Sequence, residues 1–268
     1  YEIGKNFGLC FCPERIDPSN KEWGIENIPR VIYCSDELSF EIAEKIYQNV
    51  NGGNLFRVDN PKIVEVVKSF ENAFRLVNIS LVNELAILCE NLGINVKKVI
   101  DAASTKPFGF LPHYPSAGAG GHCIPKDPRF LLESSKKYGL EFQTIKNALK
   151  INSEMPLHVC NSIEKDLKKI NLKKSVIVCG LSYKANVEDM RDSASFKIIV
   201  EFKKRGFDVI GYDPFFKTNL IEKYKIENNL KELNFKIVEN LDVDIIKKYS
   251  CLCIVQHHDI DRSRINEI

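Results

Sequence analysis

The sequence predicts an α/β protein in three parts, with both end parts incomplete. Residues 1–60 read as the end of one α/β domain, 61–171 as a long central helix with a helical middle domain, and 172–268 as a second doubly wound domain. Three observations carry this. Short apolar strands alternate with helical patterns at both ends of the chain. Between them, apolar residues recur at helical spacing from Ile63 to Leu88. A Pro- and Gly-rich stretch over 106–121 then interrupts the helices and fits no regular element.

Composition allows this organisation. The 268 residues are 44% hydrophobic and 28% charged, enough for one large or two modest cores, and exclude disorder, collagen and coiled coil. The 38 Lys+Arg against 36 Asp+Glu leave a net charge of +2, dispersed along the chain, which marks no nucleic-acid or membrane-surface partner. The first residues, Tyr1-Glu2-Ile3-Gly4-Lys5-Asn6, are too polar for a signal peptide, and by inspection no apolar run reaches the roughly 20 residues of a bilayer crossing. A soluble, cytoplasmic protein without a membrane partner is expected. Nine cysteines at scattered spacing fit reduced thiols better than a disulfide framework. Cys10 and Cys12, like Cys251 and Cys253, share one face of strand-like runs and read as core thiols, so no metal is expected.

The elements follow in order. Strands are predicted over 7–12, 30–34 and 54–58, with a helix over 38–49. The chain lacks an initiator Met and opens almost directly into a strand, so the expectation is that an upstream portion is missing. Asn60 suits an N-cap and Pro61 the first helical position of a helix ending at Gly93; at 1.5 Å per residue it would span roughly 47 Å. A helix that long bridges domains or builds an oligomer interface. Further helices are predicted over 95–104, 128–138 and 142–167. Residues 175–180 read as a buried parallel strand, 193–205 as a helix and 208–213 as the next strand, a β-α-β unit followed by strands near 235–238 and 251–255.

Cys123 has unusual neighbours. Two glycines and His122 precede it, and Ile124-Pro125-Lys126-Asp127 follows, so backbone can approach a ligand closely beside a cation and a carboxylate. Nearby positive charge and loop amides lower a thiol's pKa, and an adjacent carboxylate can orient water. The bland alternative is a small buried hydrophobe at a loop-helix junction. On the long helix, Lys68 and Asn72 share a face and can together hold an oxyanion; a solvated helix face is the alternative. The stretch Cys179-Gly180-Leu181-Ser182-Tyr183-Lys184 holds one glycine of a dinucleotide fingerprint, with Asp213 where a ribose-binding acid can sit, a weak signal. Lys184 and the charged run 188–193 still suit a phosphate-bearing ligand at the sheet's carboxyl edge.

Gly120-Gly121-His122-Cys123-Ile124-Pro125-Lys126-Asp127 resembles the active-site signature of the UDP-glucose and UDP-N-acetylhexosamine 6-dehydrogenase superfamily. Cys12-Pro13-Glu14-Arg15 resembles the end of that family's NAD domain and Lys68-x-x-x-Asn72 its helix pair. Gly180-x-x-x-Lys184 with Asp189-x-Arg191-x-Ser193 resembles the start of its UDP-binding domain. The resemblance implies the end of a Rossmann-like NAD domain, a central helical dimerisation and active-site domain, and a truncated Rossmann-like UDP-binding domain. It also implies NAD-dependent four-electron oxidation of a sugar's sixth carbon to a carboxylate, with Cys123 forming a thiohemiacetal and then a thioester.

By the same resemblance Lys68 and Asn72 stabilise the oxyanion, Asp127 orients water and Lys68, and Glu14 assists the hydrolytic water. Ser116, Gly118, Gly120, Gly121 and Lys184 hold the UDP-sugar, and Arg191 reaches the cofactor. The implied assembly is a homodimer through the long helix. His122 and the 108–110 stretch favour UDP-N-acetylglucosamine, with UDP-N-acetylmannosamine or UDP-glucose as alternatives. The chain departs from the family in lacking the Gly-rich dinucleotide loop and in carrying Ser116-Ala117-Gly118-Ala119 where Gly-Pro-Gly is usual. Two other classes stay open: a non-catalytic sugar-nucleotide-binding module, and a two-electron hydroxyacid dehydrogenase that needs no cysteine.

Overall fold

The computed structural model describes residues 1–17, 20–227 and 235–259. The chain forms two compact units, Tyr1–Phe74 with Asp127–Glu141, and Arg75–Lys126 with Phe142–Ile268. The end of the predicted third part, 260–268, lies outside the described residues.

The first unit holds a three-stranded sheet of β1 (Cys10–Phe11), β2 (Arg30–Cys34) and β3 (Leu55–Val58), ordered β1-β2-β3, with β2 and β3 parallel and β1 antiparallel to β2. Helix α1 (Glu37–Asn51) connects β2 to β3. It starts where the Asp36 carboxylate accepts the Ser39 N–H and stops at Gly52 in the left-handed region (φ 66°). The predicted 7–12 strand shrinks to two residues. The chain turns just before it, with the Gly4 N–H on the Phe7 carbonyl, and Pro13 after it cannot donate to a ladder.

Cys10 and Cys34 stand directly opposite in the β1–β2 pair, their Cα atoms 4.1 Å apart, and form a disulfide. The reading of all nine cysteines as reduced thiols fails for these two. Cross-strand register brings them together, and spacing along the chain does not reveal register. On α1, Leu38, Ile42 and Ile46 recur every fourth residue and remain exposed, an apolar stripe with no cover among the described residues.

Helix α2 (Pro61–Leu92) is the predicted long helix. The Asn60 side chain accepts the Lys62 N–H, and Gly93 ends the helix at φ 67°. By length and composition alone α2 is apolar enough to cross a membrane, with mean hydropathy 1.2 over its most apolar stretch, a third of it buried. No unbroken apolar run underlies this, because Asn78, Ser80, Asn83 and Glu84 interrupt a stretch that is apolar only on average. Two of these polar side chains bond within the second unit: Ser80 donates to the Ala148 carbonyl and Asn83 accepts from the Ser116 N–H. Helix α3 (Val96–Ala103) follows, capped by Asn95, then the loop to Lys126 and α4 (Asp127–Lys136) in the first unit.

The second unit continues with α5 (Gln143–Lys169) and a parallel sheet of β4 (Ser175–Cys179), β5 (Asp208–Tyr212), β6 (Lys236–Val238) and β7 (Cys251–Ile254), ordered β6-β5-β4-β7. Helices α6 (Ala194–Lys204), α7 (Thr218–Glu227) and α8 (Val243–Ile246) connect the strands. Every residue of β4 is buried, as a central parallel strand covered on both faces requires. Val176 and Val178 join Ile198, Ile199 and Phe202 of α6 in one core, while Ile177 packs with Ile210, Tyr212 and the α8 residues Ile245 and Ile246 on the other side. Strand order reverses between β4 and β7, and in open sheets of this kind ligands bind at the carboxyl ends of the strands flanking such a switch.

Candidate active site

The loop preceding Cys123 is fixed by buried side chains. Pro156 lies inside α5 and has no N–H, so the Asn152 carbonyl four residues earlier loses its helical partner. The loop lies against that opening: a Cβ on Gly118 would come within 3.0 Å of the Asn152 carbonyl oxygen, and Gly118 adopts φ 120°, which favours glycine. The Asn152 side chain accepts the Ala119 N–H at 2.6 Å and donates to the Ala119 carbonyl at 3.0 Å, a two-point clamp on one residue's backbone. One turn of loop earlier, Asn83 of α2 accepts the Ser116 N–H at 2.8 Å. Pro115, Ser116 and Ala117 form a recess with Val159 and the end of β7 at Ile254 and Val255, on the β7 side of the sheet's switch point.

The glycines before the cysteine meet the β4–α6 loop. Gly121 (φ 82°) donates to the Arg191 carbonyl at 2.9 Å, and a Cβ there would clash with the Tyr183 ring at 2.7 Å. Gly120 is equally crowded, by the Asp192 carbonyl. Lys126 pairs with Asp192 at 3.0 Å. Arg191, whose carbonyl receives the Gly121 N–H, is held by Asp189 through three hydrogen bonds of 2.6–3.1 Å. The Arg191 guanidinium is pushed above its usual value by Asp189 first, with Cys123 and Tyr183 contributing. Burial works to raise Asp189, but the Arg191 hydrogen bonds outweigh it and leave the carboxyl below its usual range.

Cys123 is the exposed free cysteine of the chain; the others are buried or half-buried. Burial pushes the Cys160 thiol up to about 12 and also raises Cys251 and Cys253, which disfavours their thiolates. Lys184 is half-buried in the β4–α6 loop of the same unit.

In the first unit, Asn72 of α2 donates to the Asp127 carboxylate at the start of α4, at 2.7 Å. Lys68, one turn earlier, is half-buried. Glu14 accepts the Arg15 and Ile16 N–H groups at 2.6 and 2.7 Å and pairs with Arg30 at 3.2 Å. Burial raises Glu14, yet these donors bring it below the usual carboxylate value and keep it an anion. Arg15 bonds Glu71 of α2, so the segment carrying Glu14 is tied to the helix carrying Lys68 and Asn72. Ser116, Gly118, Gly120, Gly121, Cys123, Lys184 and Arg191 all belong to the second unit, and Glu14, Lys68, Asn72 and Asp127 to the first.

Two expectations need correction or completion. Asp213 does not face a ribose: it is 1% exposed, accepting the Leu181 and Ser182 N–H groups and the Ser182 hydroxyl at 2.7–2.9 Å. Its place at a strand end is as read, but the loop after β4 turns its own amides onto it. The clamps Asn83 and Asn152 were also missed. The available signal was Asn152 four residues before a proline inside a helical pattern.

The residues present do not form a dinucleotide site by themselves. After β4, the loop amides that would meet a pyrophosphate are already bonded to Asp213. After β2, the Asp36 carboxylate caps α1 where an anion would sit. Among the described residues no group of three or more His, Cys, Asp or Glu is arranged to hold a metal.

The second unit joins a helical region carrying a glycine-flanked thiol to a doubly wound parallel sheet, the architecture of an α/β nucleotide-binding protein. Residues 62–154 match the central domain of the UDP-glucose/GDP-mannose dehydrogenase family, and residues 177–267 its UDP binding domain, together more than half of the chain. The chain belongs to that family. It is 34% identical over 229 residues to a UDP-N-acetyl-D-mannosamine dehydrogenase of Methanococcus vannielii, covering 85% of this chain and 52% of that protein. It is 32% identical to a UDP-N-acetyl-D-glucosamine 6-dehydrogenase of Salmonella typhi, covering 79% of this chain and 50% of that one. The structure of a UDP-D-ManNAc dehydrogenase from Pyrococcus horikoshii superposes with TM-score 0.81 at 29% identity, over 98% of this chain and 58% of that one. The chain thus spans about half the length of the curated relatives it matches.

Proposed function

We propose that the protein to which this chain belongs oxidises the 6-hydroxymethyl group of a UDP-N-acetylhexosamine to a carboxylate, with Cys123 as the covalent nucleophile. The observation that carries the reading is the Cys123 environment: an exposed thiol after two crowded glycines, one of them bonded to the Arg191 carbonyl, on a loop that also lines the β7 side of the sheet's switch point. The other cysteines are burdened by burial or bonded to each other.

The proposed roles follow. The 116–121 loop and Lys184 grip the UDP-sugar, as a rigid backbone cradle and a cation beside phosphate. Cys123 adds as thiolate to the aldehyde carbon to give a thiohemiacetal; loss of that carbon's hydrogen as hydride to an external acceptor, with loss of the hydroxyl proton, would leave a thioester that water cleaves to the carboxylate and the free thiol. Lys68 and Asn72 stabilise the oxyanion; Asp127 holds the Asn72 amide, as well as orienting water and Lys68. Glu14, kept ionised by the Ile16 and Arg15 amides and then by Arg30, assists the hydrolytic water as an anion. NAD is the proposed hydride acceptor, with Arg191 reaching it. The residues present do not complete its site.

The functional division proposed is 1–60, 61–171 and 172–268, in a cytoplasmic homodimer joined through α2, without a membrane or nucleic-acid partner. His122 and the 108–110 stretch favour N-acetylglucosamine. Several relatives are UDP-N-acetyl-D-mannosamine dehydrogenases, which favours the N-acetylmannosamine substrate as the second reading. The test is NADH formation by a chain of the relatives' full length with each UDP-sugar: two NADH per sugar supports the reading, and one NADH, or none with any sugar, refutes it. The 268-residue chain alone is predicted to be inactive.

A further inference from the structure

His258, just after β7, is wholly buried and belongs to none of the roles above. Its two ring nitrogens have different partners. Nδ1 lies 2.9 Å from the Asn186 backbone nitrogen, and Nε2 lies 3.2 Å from the Asp213 carboxylate. A backbone N–H can only donate, so Nδ1 must present its lone pair, and the ring proton must sit on Nε2, pointed at Asp213. The ring is therefore a neutral, one-tautomer bridge. The Phe215 ring packs against it, centroids 4.9 Å apart.

What the bridge holds is the β4–α6 loop. Asn186 sits in the left-handed region at φ 60°, and its side chain exchanges two 2.9 Å hydrogen bonds with Asp259, donating to the carboxylate and accepting the Asp259 N–H. Gln256 donates to the Tyr183 carbonyl at 3.1 Å. Thus three residues after β7 grip the loop that carries Lys184 and places the Tyr183 ring against Gly121. At the other end of the bridge, Asp213 is held ionised. Burial raises it, but hydrogen bonds from His258, the Phe215 amide and Ser182 outweigh that and bring it below its usual value.

We infer that His258 is a positioning residue for the UDP-sugar: as the Nε2–H tautomer it locks the Asn186 amide, and through it the 183–189 loop, in the conformation that presents Lys184. This rests on the UDP-sugar reading for its ligand, but the lock itself stands on the hydrogen bonds. Two substitutions separate the two halves of the bridge. In His258→Asn the side-chain oxygen replaces Nδ1 as acceptor for Asn186, and Asp213 keeps its other donors. In His258→Gln the amide nitrogen replaces Nε2 toward Asp213, and the Asn186 N–H loses its partner.

The experiment combines ring 15N spectra of the wild-type chain, hydrogen exchange at the Asn186 amide and calorimetric titration with UDP. The expected results are a protonated Nε2 with an unprotonated Nδ1, Asn186 protection kept in His258→Asn and lost in His258→Gln, and UDP affinity weakened about tenfold in His258→Gln alone. A proton on Nδ1, or equal Asn186 protection in the two variants, overturns the inference, and so does equal UDP affinity. If the wild-type chain does not bind UDP, the ligand reading fails, and the spectra and exchange comparison decide the lock by themselves. The ring spectra need no variant, so misfolding of either one leaves the inference open to refutation.

Discussion

At the scale of the residue, the site depends on a few amides more than on its charges. Asn152 satisfies both backbone polar groups of Ala119. Removing one partner of a buried hydrogen bond leaves the other unsatisfied, which costs about 1–3 kcal/mol. Asn152→Ala should therefore lower chemical stability by that amount, read as a reduced denaturant midpoint at unchanged slope. It should also release the Cys123 loop. Gly180 makes a similar point. Its φ is 83°, and a Cβ would lie 2.5 Å from the Gln256 carbonyl oxygen. Gly180→Ala combines left-handed strain with a backbone clash and should destabilise by about 1–3 kcal/mol or more, measured the same way.

At the scale of the element, Glu164 of α5 stitches helices to the sheet. It pairs with Lys168, Lys174 and Arg205 at 2.9–3.2 Å, and hydrogen bonds from Lys174 first and Lys168 next bring its carboxyl down to about 2 from an ordinary 4.5. A depressed carboxyl stabilises the fold above its unfolded value and loses that contribution as pH falls from 4.5 toward 2. Glu164→Gln should flatten the acid limb of the thermal-melting curve over that window while leaving the shape near neutrality unchanged. A wild-type-like limb in the variant would contradict the assignment.

The elements themselves were largely legible because periodicity and caps mark them. Asn60, Pro61 and Gly93 delimit α2, and the unbroken apolar run of β4 announces a strand buried on both faces. What depends on tertiary register was not legible. The Cys10–Cys34 bond exists because two strands align, and Asp213 turns inward because a loop folds back on it. The role of Asn152 emerges only when Pro156 frees a carbonyl beside an approaching glycine. Motif residues around Cys123 were visible because a short stretch of chain carries them together.

At the scale of the whole molecule, two apolar stripes lie exposed among the described residues. Leu81, Leu88 and Leu92 lie exposed along α2, and Leu38, Ile42 and Ile46 along α1. If α2 joins two copies, sedimentation should give a dimer, and Leu81→Glu with Leu88→Glu should give a folded monomer. A wild-type monomer at micromolar concentration would refute the α2 interface. The account as a whole turns on Cys123. The most direct measurement is brief alkylation of the native chain followed by peptide mapping, with and without UDP-N-acetylglucosamine. Selective labelling of Cys123, blocked by the sugar nucleotide, is the predicted result. Cysteines labelled at similar rates, with no protection by ligand, would contradict the account and favour a non-catalytic module.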